Sequence, residues 1–224
     1  DQNIMRKLTS PLKKGYQNVS WDMGYMDRRG PKVPPGNYTV AIDKNHNGVF
    51  TRLVEPQPFT IESMPNAMGT PNYQANFDFI KDVSVFSIKV NSARGKLNDM
   101  NTRITTMKTM LASMPVEADV LVAKIDAVKK QIDGVTKVLV GGFGAKNTVN
   151  GRLRFAQFTT ASAQVDITGS QREQFNIAKT DFAGQETLLN ELFNVKLPEL
   201  ENEYVALGGI LHVTPAPTRR FFEE

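Results

Sequence analysis

The stretch FIKDVSVFSIKVNSARGKLNDMNTRITTMKTMLASM, from Phe79 to Met114, decides the fold. Its apolar residues, Phe79, Val83, Phe86, Val90, Ala93, Leu97, Met100, Ile104, Met107, Leu111 and Met114, recur at alternating spacings of four and three. That period lines one face of a helix and demands a partner helix along its whole length. At 1.5 Å per residue, a helix of about 40 residues is about 60 Å long. Gly95 is its weak point, costing about 1 kcal/mol against alanine and marking a place for a bend. Three of the four methionines Met100, Met107, Met110 and Met114 fall in the stripe, so they read as core rather than as an adaptable groove.

Downstream, Pro115 stands where a second helix is expected, and Leu121, Ile125, Val128, Ile132, Val135 and Leu139 repeat the spacing as far as Gly141-Gly142. The short turn predicts antiparallel neighbours within one chain rather than a self-associating coil. Phe143 to Ile167 has no clean period and is expected to pack over one end of the bundle. A further helix begins after Thr168 or Ser170, each followed three residues later by Gln171 or Glu173 as in a capping box. Its stripe is Phe175, Ala178, Phe182, Leu189 and Leu192, interrupted at Gln185 and Lys196. Pro198 is expected to kink it or to start a new helix through Leu200, Tyr204 and Leu207.

Upstream, the period changes. Residues 1–63 are rich in Gly, Pro and Asn, with Val19 and Trp21 alternating in one expected strand and Tyr38, Val40 and Ile42 in another. The segment DKNHNG, Asp43 to Gly48, supplies hairpin residues that tolerate positive φ, and Phe59 and Ile61 are read as the start of the returning strand. Two or three such hairpins are expected. MPNAMGTPN, residues 64–72, reads as a linker, with Thr70 as helix cap before Pro71. The sequence therefore predicts an α+β chain. Residues 1–63 form a β-sandwich, 64–72 a linker, 73–207 an antiparallel bundle of three or four long helices, and 208–224 a proline-containing tail.

The 224 residues are 40% hydrophobic and 22% charged, the balance of a folded protein with room for two cores. A net charge of +4 is spread as isolated basic pairs with acids between them, which excludes a phosphate-tracking stripe and nucleic acid as a partner. With no cysteine, there is neither a disulfide framework nor a thiolate site. No stretch is long and apolar enough to span a membrane. DQNIMRKLTS at the start lacks a signal-peptide core, and the chain reads as a fragment or mature piece.

Candidate sites are few. Asp43, Asn45 and Asn47 match the first positions of a calcium loop, but position twelve is Val54 and Glu55 comes one residue late; a hairpin turn accounts for the same residues. His46 and His212 have no clustered ligands around them and read as surface residues. Glycoside hydrolysis needs two carboxylates across a cleft. Asp22, Asp27, Glu173, Glu191, Glu199 and Glu201 read instead as loop-tying or solvated groups, with Asp22 beside Trp21 holding backbone amides. There is no G-x-S-x-G elbow and no phosphate loop. No catalytic residue, metal site or cofactor is therefore expected. Tyr16, Tyr25 and Tyr73 are the candidates for sugar contact, since Trp21 reads as core.

The runs Gly15-Tyr16-Gln17-Asn18-Val19-Ser20-Trp21-Asp22 and Gly30 to Val40, with Pro34-Pro35-Gly36-Asn37-Tyr38-Thr39-Val40 at its end, resemble a bacterial Ig-like pattern like that of the flagellar hook cap protein's Ig-like module. With Gly151-Arg152-Leu153, Leu197-Pro198-Glu199-Leu200-Glu201 and Thr214-Pro215-Ala216-Pro217, nearly the whole chain resembles the C-terminal region of secreted proteins with BNR-repeat, sortilin-like β-propellers, often labelled glycosyl hydrolases. The chain departs from that pattern at Ser63-Met64-Pro65, where the family has Asp-Pro-Arg. The resemblance implies an Ig-like sandwich, incomplete here or completed by strands upstream of Asp1. It further implies a secreted, periplasmic or cell-surface location and an upstream propeller as partner, with other envelope proteins or polysaccharide as further partners. Any hydrolase site would belong to the propeller, so no family catalytic residue carries over. The expected function is a non-catalytic structural and interaction region; the alternative is an accessory or carbohydrate-binding part of a glycoside hydrolase.

Overall fold

The computed structural model describes residues 3–11, 13–26, 30–63, 69–141, 147–157 and 165–211. The chain is of mixed α and β structure and divides into two compact units, residues 1–88 with 152–176 and residues 89–151 with 177–224. The division crosses the longest helix between Ile88 and Lys89.

The first unit opens with a two-stranded antiparallel ribbon, β1 (Gly36–His46) and β2 (Val49–Ile61). The strands are joined by Asn47 and Gly48 at φ 51° and 86°. These are the two left-handed residues of a type I′ turn, whose twist matches that of the strands. Asn45 fixes the turn by accepting the Gly48 N–H at 3.0 Å. The returning strand therefore starts at Val49, ten residues before the expected Phe59, which pairs with Tyr38 near its far end.

The described residues of 1–63 do not show a full sandwich: the only other pairing among them is a single bridge between Gly24 and Lys32. The expected Val19–Trp21 strand is absent: two alternating residues are too short a run to specify a strand, and the chain turns just after them. Trp21 Nε1 donates to the Gly24 carbonyl at 3.0 Å, Asp22 Oδ1 accepts the Gly24 N–H at 3.1 Å, and Met23 turns the chain at φ 60°.

Helix α1 (Tyr73–Leu111) is one uninterrupted helix of 39 residues, passing through Gly95. Its cap is Asn72, not Thr70: Asn72 Oδ1 accepts the Ala75 N–H at 3.0 Å, while Asp166 accepts the Asn72 N–H at 2.7 Å. Within the first unit, Phe77, Phe79, Ile80 and Val83 are buried, and the Phe79 and Phe86 rings meet Phe175 edge-on at 5.6 and 5.8 Å. Buried Asn76 is satisfied at both ends of its amide, by the Val165 carbonyl and the Ile167 N–H.

The stretch expected to lack a period contains a short helix, α3 (Val149–Gln157), capped by Thr148, which accepts the Gly151 N–H at 3.0 Å. It buries Val149, Leu153 and Ala156. Helix α4 (Gly169–Glu191) begins with the anticipated capping box, at Thr168: its hydroxyl accepts the Gln171 N–H and Gln171 Oε1 accepts the Thr168 N–H.

In the second unit, the distal part of α1 lies against α2 (Asp119–Leu139), which buries Leu121, Ile125, Val128, Ile132, Val135 and Leu139 as its spacing predicts. Lys108 pairs with Asp126 at 2.5 Å and Lys129 reaches Asn101 at 3.2 Å, so the two helices run antiparallel. The last helix continues without a break from α4 through a π turn, Leu192–Lys196, into α5 (Leu197–Ala206), making four separate helices among the described residues. The π turn lies just before Pro198, whose missing N–H breaks the regular ladder. Lys124 with Glu203 and Lys196 with Gln131 set α5 antiparallel to α2, while Lys96 over Phe193 and the Arg103–Glu201 pair set it parallel to α1.

Candidate functional site

The described residues carry one element whose apolar surface is left largely uncovered, the β ribbon. Alternation puts Tyr38, Val40 and Ile42 on one face of β1, opposite Phe59, Gln57 and Val54 of β2. At the base this face is closed: Tyr38 stacks on Phe59 at 5.8 Å, Trp21 meets Phe59 edge-on at 6.2 Å, and the Tyr38 hydroxyl donates to the Pro34 carbonyl at 2.6 Å. Burial there pushes the Tyr38 phenol above its ordinary pKa. Towards the tip, Val40, Ile42, Val49 and Val54 on this face are exposed, Ile42 by 54% and Val49 by 66%, as are Phe50, which pairs with Asn45 on the other face, and Leu53, which has no cross-strand partner. Lys7 touches Phe50, its Nζ 4.5 Å from the ring centre.

The two long edges of the ribbon differ. Strand β2 contains Pro56 and Pro58, and both register irregularities put the extra residue in β2: it steps from Gln57 to Val54 while β1 steps from Val40 to Ile42, and from Val54 to Arg52 while β1 steps from Ile42 to Asp43. Prolines and bulges block further pairing along an edge. Strand β1 has neither.

The calcium candidates sit at the ribbon's distal end with other partners. Asp43 Oδ1 accepts from Arg52 Nε at 2.5 Å, raising the Arg52 pKa further, Asn45 holds the turn, and Asn47 is the turn. No group of three or more His, Cys, Asp or Glu side chains is placed to hold a metal among the described residues. His46 is exposed beside the turn; His212, Asp27 and the tail from 212 lie outside the described residues.

The tyrosines do not gather. Tyr16 is 94% exposed, Tyr25 packs edge-on against Phe77 at 5.2 Å with Lys81 Nζ 5.5 Å from its ring, and Tyr73 is half-buried at the start of α1. Among the carboxylates, Glu191 pairs with Lys196 at 3.0 Å and Glu201 with Arg103. Asp22 ties its loop as expected: the Gly24 N–H, then Lys32 and Arg6, hold its carboxyl below the ordinary value, partly offset by desolvation.

In the second unit Glu117, Ala118, Val120, Leu121, Ala206 and Leu207 line a shallow groove of about 290 Å³. Its wall is mostly apolar, and Glu203 at its rim is taken by Lys124 at 2.7 Å. Sequence reasoning missed the open ribbon face because alternation marks a face without saying whether a second layer covers it. The prolines at 56 and 58 were the available signal.

Comparison of the chain with protein-family models, with curated proteins and with solved structures gave no match.

Proposed function

We propose that this chain is a non-catalytic structural and interaction region of a larger secreted or envelope-associated bacterial protein. The observation that supports this reading is the β ribbon. It displays six large apolar side chains to solvent beside a proline-free edge, an arrangement that costs free energy unless a partner uses it. The helices, by contrast, bury their apolar stripes and pair some of their charges on the surface. In the parent protein the resemblance supplies an upstream β-propeller, with other envelope proteins or polysaccharide as further contacts.

A screen of hydrolysis and binding over a polysaccharide panel tests this reading on three proteins: the isolated chain, the full-length parent, and the parent lacking these residues. The expected outcome is neither cleavage nor binding by the isolated chain. Cleavage by it overturns the reading. Glycan binding abolished by Tyr16→Ala makes this a carbohydrate-binding part instead.

A further inference from the structure

We propose that β1 is the strand on which a second copy of this chain pairs, antiparallel and centred on Ala41, joining two ribbons into one four-stranded sheet. The inference rests on the interaction-region reading and names the partner of its ribbon.

The direction of each β1 amide follows from its partner. Pro58 has no N–H to give the ladder, so its nitrogen faces the outer edge of β2, and Thr39, opposite it, turns its own N–H and C=O to the outer edge of β1. The turn gives the same answer independently. His46 and Val49 close a two-residue loop as a hydrogen-bonded pair, so even-numbered β1 residues face inward and Asn37, Thr39, Ala41, Asp43 and Asn45 face outward. Five consecutive outward donor–acceptor sets therefore lie along an edge with no proline and no inserted residue, and every β1 residue beyond Tyr38 is exposed. What such an edge recognises is another extended strand.

The side chains favour a copy of the same strand. With Ala41 opposite Ala41 the whole of residues 37–45 is paired, Thr39 faces Asp43, Asn37 faces Asn45, and all are outward-facing residues meeting outward-facing residues. Ile42 then lies beside Val40 of the other copy on the open apolar face, so one contact extends both hydrophobic patches into a common surface. The charged residues of the strand, Asp43 and Lys44, fall opposite Thr39 and Tyr38 and meet no like charge. A two-fold axis makes this contact self-closing. The edge of β2, with its prolines and bulges, remains as the guarded end of the four-stranded sheet.

The experiment is sedimentation of the full chain over a concentration series, with two variants. Thr39→Pro removes an outward N–H, as Pro58 does on the other edge, and Ala41→Glu sets two carboxylates against each other at the axis; circular dichroism checks that each variant is folded. The wild-type mass is expected to rise roughly twofold with concentration, and both variants are expected to remain monomeric. Because the chain has no cysteine, A41C is expected to form a disulfide-linked dimer on oxidation and R52C, on the guarded strand, is not. A monomer at every concentration, a dimer unmoved by either variant, or equal cross-linking of A41C and R52C overturns the proposal. A non-hydrolytic monomer removes self-pairing while leaving the interaction-region reading in place; hydrolysis by the isolated chain removes that reading itself.

Discussion

At the residue scale, single side chains decide where elements begin and where the loop before the ribbon is tied. The Thr168 hydroxyl and the Gln171 amide oxygen satisfy one backbone N–H each at the start of α4. Thr168→Ala is expected to lower stability by about 1 kcal/mol, read from the midpoint of denaturant unfolding. Asp22 gives a pH prediction. Its carboxyl is held below its ordinary value of 3.8, first by the Gly24 N–H and then by Lys32 and Arg6. A carboxyl with a lowered folded pKa contributes stability above the unfolded value and loses it as pH falls through the folded one. The only tryptophan, Trp21, is bonded to the same Gly24 and reports on the loop. Its fluorescence is expected to change as the solution is acidified below pH 3.8, and in Asp22→Asn that acid transition is expected to disappear.

At the element scale, the helices are governed by burial of one stripe. Ile104 is fully buried in α1, so Ile104→Ala is expected to cost about 3 kcal/mol, measured by the same unfolding. Gly95 is the opposite case: a methyl group there meets nothing within 4 Å, so Gly95→Ala is expected to raise stability by about 1 kcal/mol, seen as a higher Tm. The period-3.6 stripes of α1, α2 and α4 were legible from spacing alone because each one repeats over many turns. Helix α3 was not, because nine residues with a glycine inside them supply too few repeats; its Val149, Leu153 and Ala156 become a pattern only once Thr148 is seen as the cap. The strands show the converse limit. Tyr38, Val40 and Ile42 identified β1, but alternation at Val19 and Trp21 gave no strand, because two alternating residues are too short a run to specify one. Of the candidate site, the hairpin turn at Asn47-Gly48 was readable. The uncovered face was not, since exposure depends on which layers pack and no local pattern encodes that.

At the scale of the whole molecule, the chain places ordered helical cores in the same polypeptide as an open two-stranded ribbon. An isolated two-stranded hairpin is marginal in water. Here the base of the ribbon is held by Trp21, Tyr38 and Phe59, and its tip by the type I′ turn, and no other described strand pairs with the middle of β1. On the ribbon Asp43 is paired with Arg52, and the proposed contact sets no like charges together, so contacts made by the ribbon are expected to depend weakly on salt, checked by repeating the sedimentation at low and high ionic strength. The central claim is that β1 keeps a free edge in the single chain, and amide hydrogen exchange in dilute, monomeric protein reads it residue by residue. Protection is expected to alternate along β1, with the amides of Val40 and Lys44 slow and those of Thr39, Ala41 and Asp43 fast. Equal protection of both sets in the monomer would contradict it, because a further strand of the same chain would then already occupy the edge.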